Sequence, residues 1–197
     1  MHRIIFHIDV NSAFLSWSAV KMIREGLPDI RLVPSVVSGD PSDRRSIITA
    51  ASMPAKKLGI KTAQPVSMAL RTCPTLVIVP GDWEWYRCCS EGFISICREY
   101  SPVLEQFSID ECFLDMSFRL YGKDPVEVAI ALKDRIKAEL GFTVNVWVGS
   151  NKLLARWRPT SRNPTRCILS GSRKCRTRCG PWACGTCSGW AGRRRPA

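Results

Sequence analysis

The chain has 197 residues and a formal net charge of +12, from 29 Lys and Arg against 17 Asp and Glu. Residues 1–9 form too short an apolar run for a signal peptide or a membrane span, and no later run approaches the roughly 18 apolar residues that a span needs. Length and composition therefore favour one sizeable core or two small ones. They disfavour a membrane protein, and we expect a soluble cytoplasmic protein.

Almost all of the net charge lies in the last part of the chain. Residues 156–197 contain ten Arg, one Lys and no acidic residue, whereas residues 1–155 hold 18 basic and 17 acidic side chains. Five of the ten cysteines also lie in this tail. The composition thus indicates a near-neutral folded body followed by a basic tail of different character.

The body alternates between strand-like and helix-like segments. Apolar, β-rich runs predict strands at 3–9, 32–37, 46–51, 75–79, 103–109, 112–116 and 143–148. Caps and helical spacing predict helices at 13–26, 54–59, 83–100 and 126–140, with another beginning at 150. With residues 27–79 set aside, the order strand–helix–strand–strand–helix–strand predicts an α+β fold with a split βαβ, ferredoxin-like sheet. This fold would bring the ends of its first and central strands side by side.

Carboxylates stand at the ends of two of these strands. The first string is HIDVNSAF at residues 7–14, and the second is FSIDECFLD at residues 107–115. Together they supply Asp9, Asp110 and Glu111. Hard divalent cations such as Mg²⁺ take oxygen ligands, and two such ions can clamp the attacking and leaving oxygens of a phosphoryl transfer. The structural alternative is that Asp9 caps a helix while Asp110 and Glu111 form a hairpin turn.

Four motifs occur in order along residues 1–155. They are the two strings above, GSNKLLA at 149–155 and, more weakly, MPAKKLGIK at 53–61. In order and spacing they resemble the palm and fingers of Y-family lesion-bypass DNA polymerases, the UmuC/DinB-like group of the DNA polymerase IV type. The resemblance implies a palm made of residues 1–10 and 75–155, with a small fingers subdomain inserted at residues 11–74.

The resemblance also implies an activity, which is template-directed, translesion DNA synthesis by nucleotidyl transfer to a primer 3′-OH. It implies two Mg²⁺ ions, or Mn²⁺ in their place. Asp110 and Glu111 would be catalytic, and Asp9, Asp110, Glu111 and the carbonyl of Val10 would bind metal. Damaged primer–template DNA and a dNTP would be the partners, a sliding clamp would recruit the parent enzyme through a region outside this match, and no membrane is involved.

Four further positions match residues that contact the incoming nucleotide in the family. Phe14 lies where the family places a steric gate against a ribose 2′-OH, although a Phe on a helix stripe also suits a core. Met53, Lys56 and Lys152 match fingers and palm positions, the lysines holding the triphosphate, although exposed lysines often have no specific role. Met53 and Lys56 replace a Tyr and an Arg of many relatives, and Lys lacks the bidentate fork of Arg. Trp147 replaces a small residue, and could overpack the sheet at a cost of about 1–3 kcal/mol.

The tail departs from the family after Ala155. Loss of one A from an AAG codon before ATG would turn Lys-Met into Arg156-Trp157. In the alternative frame, residues 157–170 can be read as MASDFEKPDKVHTL, which resembles the family's continuation. We therefore expect residues 156–197 to be out of frame and disordered, and the product to be truncated and weakly active or inactive.

Other interpretations of the tail and of the body stay open. Cys175, Cys179, Cys184 and Cys187 have a spacing that four zinc-binding thiolates could use, and a disulfide framework would need an oxidising compartment. The Arg-rich tail could bind phosphates without sequence preference, which makes a non-catalytic nucleic-acid-binding fragment the alternative function. A cyclase-like nucleotidyl enzyme is a third possibility, because related palms share the paired acids.

Overall fold

The computed structural model describes residues 3–39 and 46–156, and the backbone of residues 166–168. The elements, in chain order, are β1 (Ile5–Val10), α1 (Ala13–Arg24), a short 3-10 helix (Ile30–Leu32), β2 (Ser35–Ser38), β3 (Ala50–Ala51), α2 (Met53–Lys57), α3 (Val66–Thr72), β4 (Val77–Pro80), α4 (Trp83–Tyr100), β5 (Leu104–Gln106), β6 (Glu111–Asp115), α5 (Pro125–Leu140), β7 (Val144–Gly149), α6 (Lys152–Arg156) and β8 (Arg166–Ile168).

The larger sheet has the strand order β5-β6-β1-β7-β8, and all its pairings are antiparallel. With α4 between β1 and β5 and α5 between β6 and β7, this is the split βαβ arrangement that the sequence predicts. Side chains alternate between the two faces of a strand. Phe6, Ile8 and Val10 of β1 are buried in the main core with residues of α4 and α5. The opposite face therefore carries the neighbouring odd-numbered side chains, including Asp9.

The helices that cover this core have clear end signals. The Asp82 side chain accepts a hydrogen bond from the backbone N–H of Trp85 at the start of α4. The Asp124 side chain likewise accepts from the N–H of Val126 at the start of α5, and that helix ends at Gly141, whose φ of 78° is left-handed. Side-chain caps satisfy backbone donors that the first turn leaves unpaired, and glycine adopts a left-handed φ without strain.

The smaller sheet has the order β3-β2-β4, with β2 parallel to β4. β4 is therefore part of this sheet, although its residues lie in the range expected for the palm. The boundary between residues 74 and 75 stays a prediction. The strand predicted at 46–51 is too long, since only Ala50–Ala51 forms β3. The sequence pattern also did not predict α3. Residues 46–49 pair only irregularly, through the Ile47–Pro65 bridge and single hydrogen bonds.

One short segment of the tail pairs with the larger sheet. Residues 166–168 form β8, with Cys167 opposite Trp147 of β7. A free strand edge presents unpaired N–H and C=O groups that an extended segment of almost any sequence can pair with. The expectations for residues 157–165 and 169–197, including the four cysteines with zinc-like spacing, lie outside the described residues. Within the part that the structure describes, no helix is long and apolar enough to cross a membrane.

Candidate active site

The pairing of β1 with β6 brings two of the acids together. Asp9 lies directly opposite Glu111 in the strand register, which puts their side chains on the same face with Cβ atoms about 4.5–5.5 Å apart. The backbone N–H of Val10 donates to the carbonyl of Asp110 at 3.0 Å. The backbone positions of all three acids and Val10 therefore lie at one end of the β1–β6 pair, as the topology predicts.

Glu111 has two cationic or ionisable neighbours. Its Oε1 lies 2.5 Å from Nε2 of His7 and 3.0 Å from Nε of Arg156. The Glu111 side chain is only 13% exposed, so these contacts offset much of the cost of removing its charge from water. Burial lowers the pKa of the His7 imidazole, and the Glu111 carboxylate partly opposes that shift.

Asp110 and the end of β1 are fixed by short polar contacts. The hydroxyl of Ser108 lies 2.6 Å from Oδ1 of Asp110. On the other side, Asn145 of β7 is the register partner of Asp9, and its amide donates to Oδ1 of Asn11 at 2.6 Å. These contacts orient the polar groups around the strand end.

The donor chemistry of this site fits a hard divalent cation. Carboxylate and carbonyl oxygens are the ligands that Mg²⁺ and Mn²⁺ accept. Within residues 3–39 and 46–156, however, no three acidic, His or Cys side chains converge as a preformed metal site. Glu111 instead engages His7 and Arg156, so a cation that used both of its oxygens would have to displace Arg156.

The fingers-side residues lie around the start of α1. Nζ of Lys56 donates to the hydroxyl of Ser12 at 3.2 Å. Ser12 follows Asp9 by three residues, so Lys56 reaches close to the strand end. Phe14 is half-buried and its ring meets Trp83 edge-to-face, with centroids 5.4 Å apart. Phe14 also packs on the buried Trp17 and Tyr86, which supports a packing role. Its role as a steric gate stays a prediction. Met53, at the start of α2, is exposed.

Lys152 is not brought to the acids. Its ammonium pairs with Glu105 of β5 and lies 5.8 Å from the centroid of Phe113. The residue of α6 that does reach the acids is Arg156, which sequence reasoning did not select. His7 was also missed, although it lies two residues before Asp9 on one strand and therefore faces the same way.

Trp147 is accommodated on the site face of the sheet. It is 6% exposed and stacks on His7 with ring centroids 5.1 Å apart and an interplanar angle of 24°. The indole thus forms one wall beside the imidazole that contacts Glu111. The cost of overpacking at this position stays a prediction.

A model of the impB/mucB/samB family matches residues 8–157. The chain belongs to this family. Among curated proteins, this impB/mucB/samB chain is 44% identical to DNA polymerase IV of Clostridium acetobutylicum, over 84% of the chain and 42% of that protein. It is 35% identical to DNA polymerase IV 1 of Bacillus subtilis, over 82% of the chain and 38% of that protein. The chain therefore spans about two fifths of the length of the curated relatives it matches.

Solved structures agree with this family membership. The structure of DinB from Sulfolobus solfataricus aligns with a TM-score of 0.68 at 26% identity, covering 78% of this chain and 44% of that one. An insertion ternary complex of Dbh DNA polymerase aligns with the same TM-score at 25% identity, with the same coverage. The resemblance to Y-family polymerases and the α+β palm-type fold are confirmed.

Proposed function

We propose that this chain carries the palm and fingers of a translesion DNA polymerase, which transfers a nucleotide from a dNTP to a primer 3′-OH. The observation that carries the proposal is the register of β1 and β6, which sets Asp9 opposite Glu111. Beside this pair, the backbone N–H of Val10 donates a hydrogen bond to the carbonyl of Asp110. The family membership supports the same activity. In this proposal residues 1–10 and 75–155 act as the palm and residues 11–74 as the fingers, although β4 pairs with the fingers sheet.

Asp9, Asp110, Glu111 and the carbonyl of Val10 are the proposed ligands of two Mg²⁺ ions, with Mn²⁺ able to replace them. When bound, such ions supply Lewis-acid stabilisation of the attacking and leaving oxygens. The hydroxyl of Ser108 donates to the carboxylate of Asp110 and orients it. By resemblance to the family, Asp110 and Glu111 are the proposed catalytic residues.

Four residues are proposed to bind the nucleotide. Phe14 would exclude a ribose 2′-OH by its bulk, and Met53 would contact the nucleotide from the fingers. Lys56, already directed at Ser12 near the strand end, would contact the triphosphate. Lys152 would have to leave Glu105 to do the same. A Phe14→Ala variant is expected to favour rNTP binding relative to the wild type.

The proposed partners are damaged primer–template DNA and a dNTP, in the cytoplasm, with the parent enzyme recruited by a sliding clamp. Phosphoryl transfer depends mainly on positioning the reacting groups. Because the matched region is about two fifths of the relatives' length, we propose that this chain alone positions a primer poorly and is weakly active or inactive.

The frame change at residue 156 belongs to the same proposal. The family match ends at residue 157, beside the position where the composition changes. Resequencing the DNA across codons 154–158 tests it. A missing A would support the frame change, and a sequence that reproduces the printed chain would contradict it.

Primer extension by the 197-residue chain tests the activity, on undamaged and lesion-containing templates with Mg²⁺. The expected result is trace or undetectable templated extension, with any product lost in Asp110→Ala. Extension that persists in Asp110→Ala would overturn the site, and robust extension that needs Asp110 would overturn only the weak activity.

A second candidate is nucleic-acid binding through the tail, which carries +11 of the +12 net charge. Such binding would weaken steeply with salt, because it releases counterions from phosphates. DNA binding that survives Asp9→Ala but disappears when residues 156–197 are removed would favour this candidate. Binding that needs Asp9 would contradict it.

A further inference from the structure

Arg156 makes a two-point contact with the carboxylate of Glu111. Its Nε lies 3.0 Å from Oε1, and its Nη2 lies 3.4 Å from Oε2. The guanidinium thus uses its planar fork against both oxygens, a geometry that a Lys ammonium cannot reproduce. Glu111 is the less exposed partner, at 13% against 48% for Arg156, so the pair is screened less than a fully exposed one.

An aromatic ring holds the same guanidinium from another side. The central carbon of the Arg156 guanidinium lies 4.0 Å from the centroid of Phe107, within the range of a cation–π contact. Phe107 in turn meets the buried Phe113 edge-to-face, with centroids 6.0 Å apart. Arg156 is therefore fixed between a carboxylate and an anchored ring.

We infer that Arg156 is a resident counter-ion of Glu111, which competes with divalent metal for that carboxylate. A cation that took both oxygens of Glu111 would have to break the two-point contact, and its charge would oppose that of the guanidinium. The inference rests on the proposed function, since it assumes that metal binds at Asp9, Asp110 and Glu111. It adds that this chain lowers its own metal affinity through the last residue of α6.

The alternative frame makes the comparison of Arg with Lys informative. Lys is the residue that the uninterrupted frame would place at position 156. A Lys keeps the charge, but it offers a point contact rather than a fork and stacks less well on Phe107. Metal affinity is therefore expected to rise in the order wild type, Arg156→Lys, Arg156→Met.

Direct titration of the chain with Mn²⁺ tests this order, with free Mn²⁺ measured by electron paramagnetic resonance. Arg156→Met keeps an apolar stem against Phe107 and is expected to bind Mn²⁺ on the order of fivefold more tightly, the equivalent of about 1 kcal/mol for a partly exposed charged contact. Arg156→Lys should lie between it and the wild type. An Asp9→Asn variant serves as the background, because any Mn²⁺ that it still binds is bound elsewhere on the chain.

Arg3→Met is the matched control. Arg3 also pairs with a carboxylate, with Nε 3.2 Å from Oδ2 of Asp115. It lies six residues along the chain from Asp9, about 20 Å at the rise of a strand, which exceeds the Debye length of about 10 Å at 0.1 M salt. Its removal changes the net charge equally and should leave Mn²⁺ affinity within about twofold.

Each outcome supports or overturns the inference. Tighter binding in Arg156→Met but not in Arg3→Met supports the counter-ion role. Equal affinity in the wild type and Arg156→Met overturns it, while leaving the proposed metal site intact. No Asp9-dependent binding in any variant overturns both. Circular dichroism checks folding, and if Arg156→Met fails to fold, equal affinity in the wild type and Arg156→Lys overturns the inference.

Discussion

Gly149, the last residue of β7, permits the close approach of α6 to the sheet. A Cβ placed there would lie 2.7 Å from the backbone N and 3.0 Å from the Cα of Ala155. Favourable contacts between heavy atoms lie near 3.5 Å, so Gly149→Ala should push α6 back by about 0.5–0.8 Å. The clash is with backbone, which a rotamer change cannot relieve. We expect a loss of about 1–3 kcal/mol in the free energy of unfolding, the usual cost of overpacking.

Urea denaturation of the 197-residue chain measures this loss, and Gly92→Ala provides the matched control. Gly92 lies within α4, where a Cβ would meet only the flexible tip of Leu140 at 3.4 Å. Replacing a helix-interior glycine by alanine gains about 0.5–1 kcal/mol. The same chemical change should therefore have opposite signs at the two sites. Equal free energies of unfolding for Gly149→Ala and the wild type would refute the steric argument.

Two further predictions concern the core around α4. Burial raises the pKa of the Cys89 thiol to about 12, whereas Cys88 is exposed. Peptide mapping after iodoacetamide treatment at pH 8 should therefore show Cys88 modified at least about tenfold faster than Cys89. Equal rates at the two cysteines would contradict the burial of Cys89. Tyr86→Phe should cost about 1–2 kcal/mol in urea denaturation, because it leaves the buried Ser18 hydroxyl, now 2.7 Å from the phenol oxygen, without that partner. The Ser18→Ala/Tyr86→Phe double variant should cost less than the sum of the singles, and strict additivity would argue against the hydrogen bond.

Local signals were sufficient for the longest elements and for the meeting of the acids. α4 has the predicted bounds, 83–100, because its apolar spacing is regular and Asp82 caps it. Asp9 and Glu111 could be expected to meet because each lies at the end of a strand that the split βαβ topology pairs. Their roles in metal binding and catalysis stay proposals.

The parts that the sequence did not reveal depend on tertiary contacts. α3 is only seven residues long, too short for a helical period to distinguish it from an apolar loop. The parallel pairing of β2 with β4 joins segments about forty residues apart, and no local pattern marks it. Arg156 lies 45 residues from Glu111, so its contact emerges only when α6 packs on the sheet.

Metal-dependent binding of a dNTP to the 197-residue chain tests the proposed metal and nucleotide site at the end of β1 and β6, since such binding needs no primer. We expect binding that requires Mg²⁺ or Mn²⁺ and weakens at least about tenfold in Asp110→Ala, a loss of about 1.4 kcal/mol or more. Asp134→Ala is the control, because Asp134 is an exposed acid of α5 paired with Lys133, and it should bind like the wild type. Binding that is unchanged by EDTA, or equal in Asp110→Ala and the wild type, would contradict the assignment of this strand end as the nucleotidyl-transfer site.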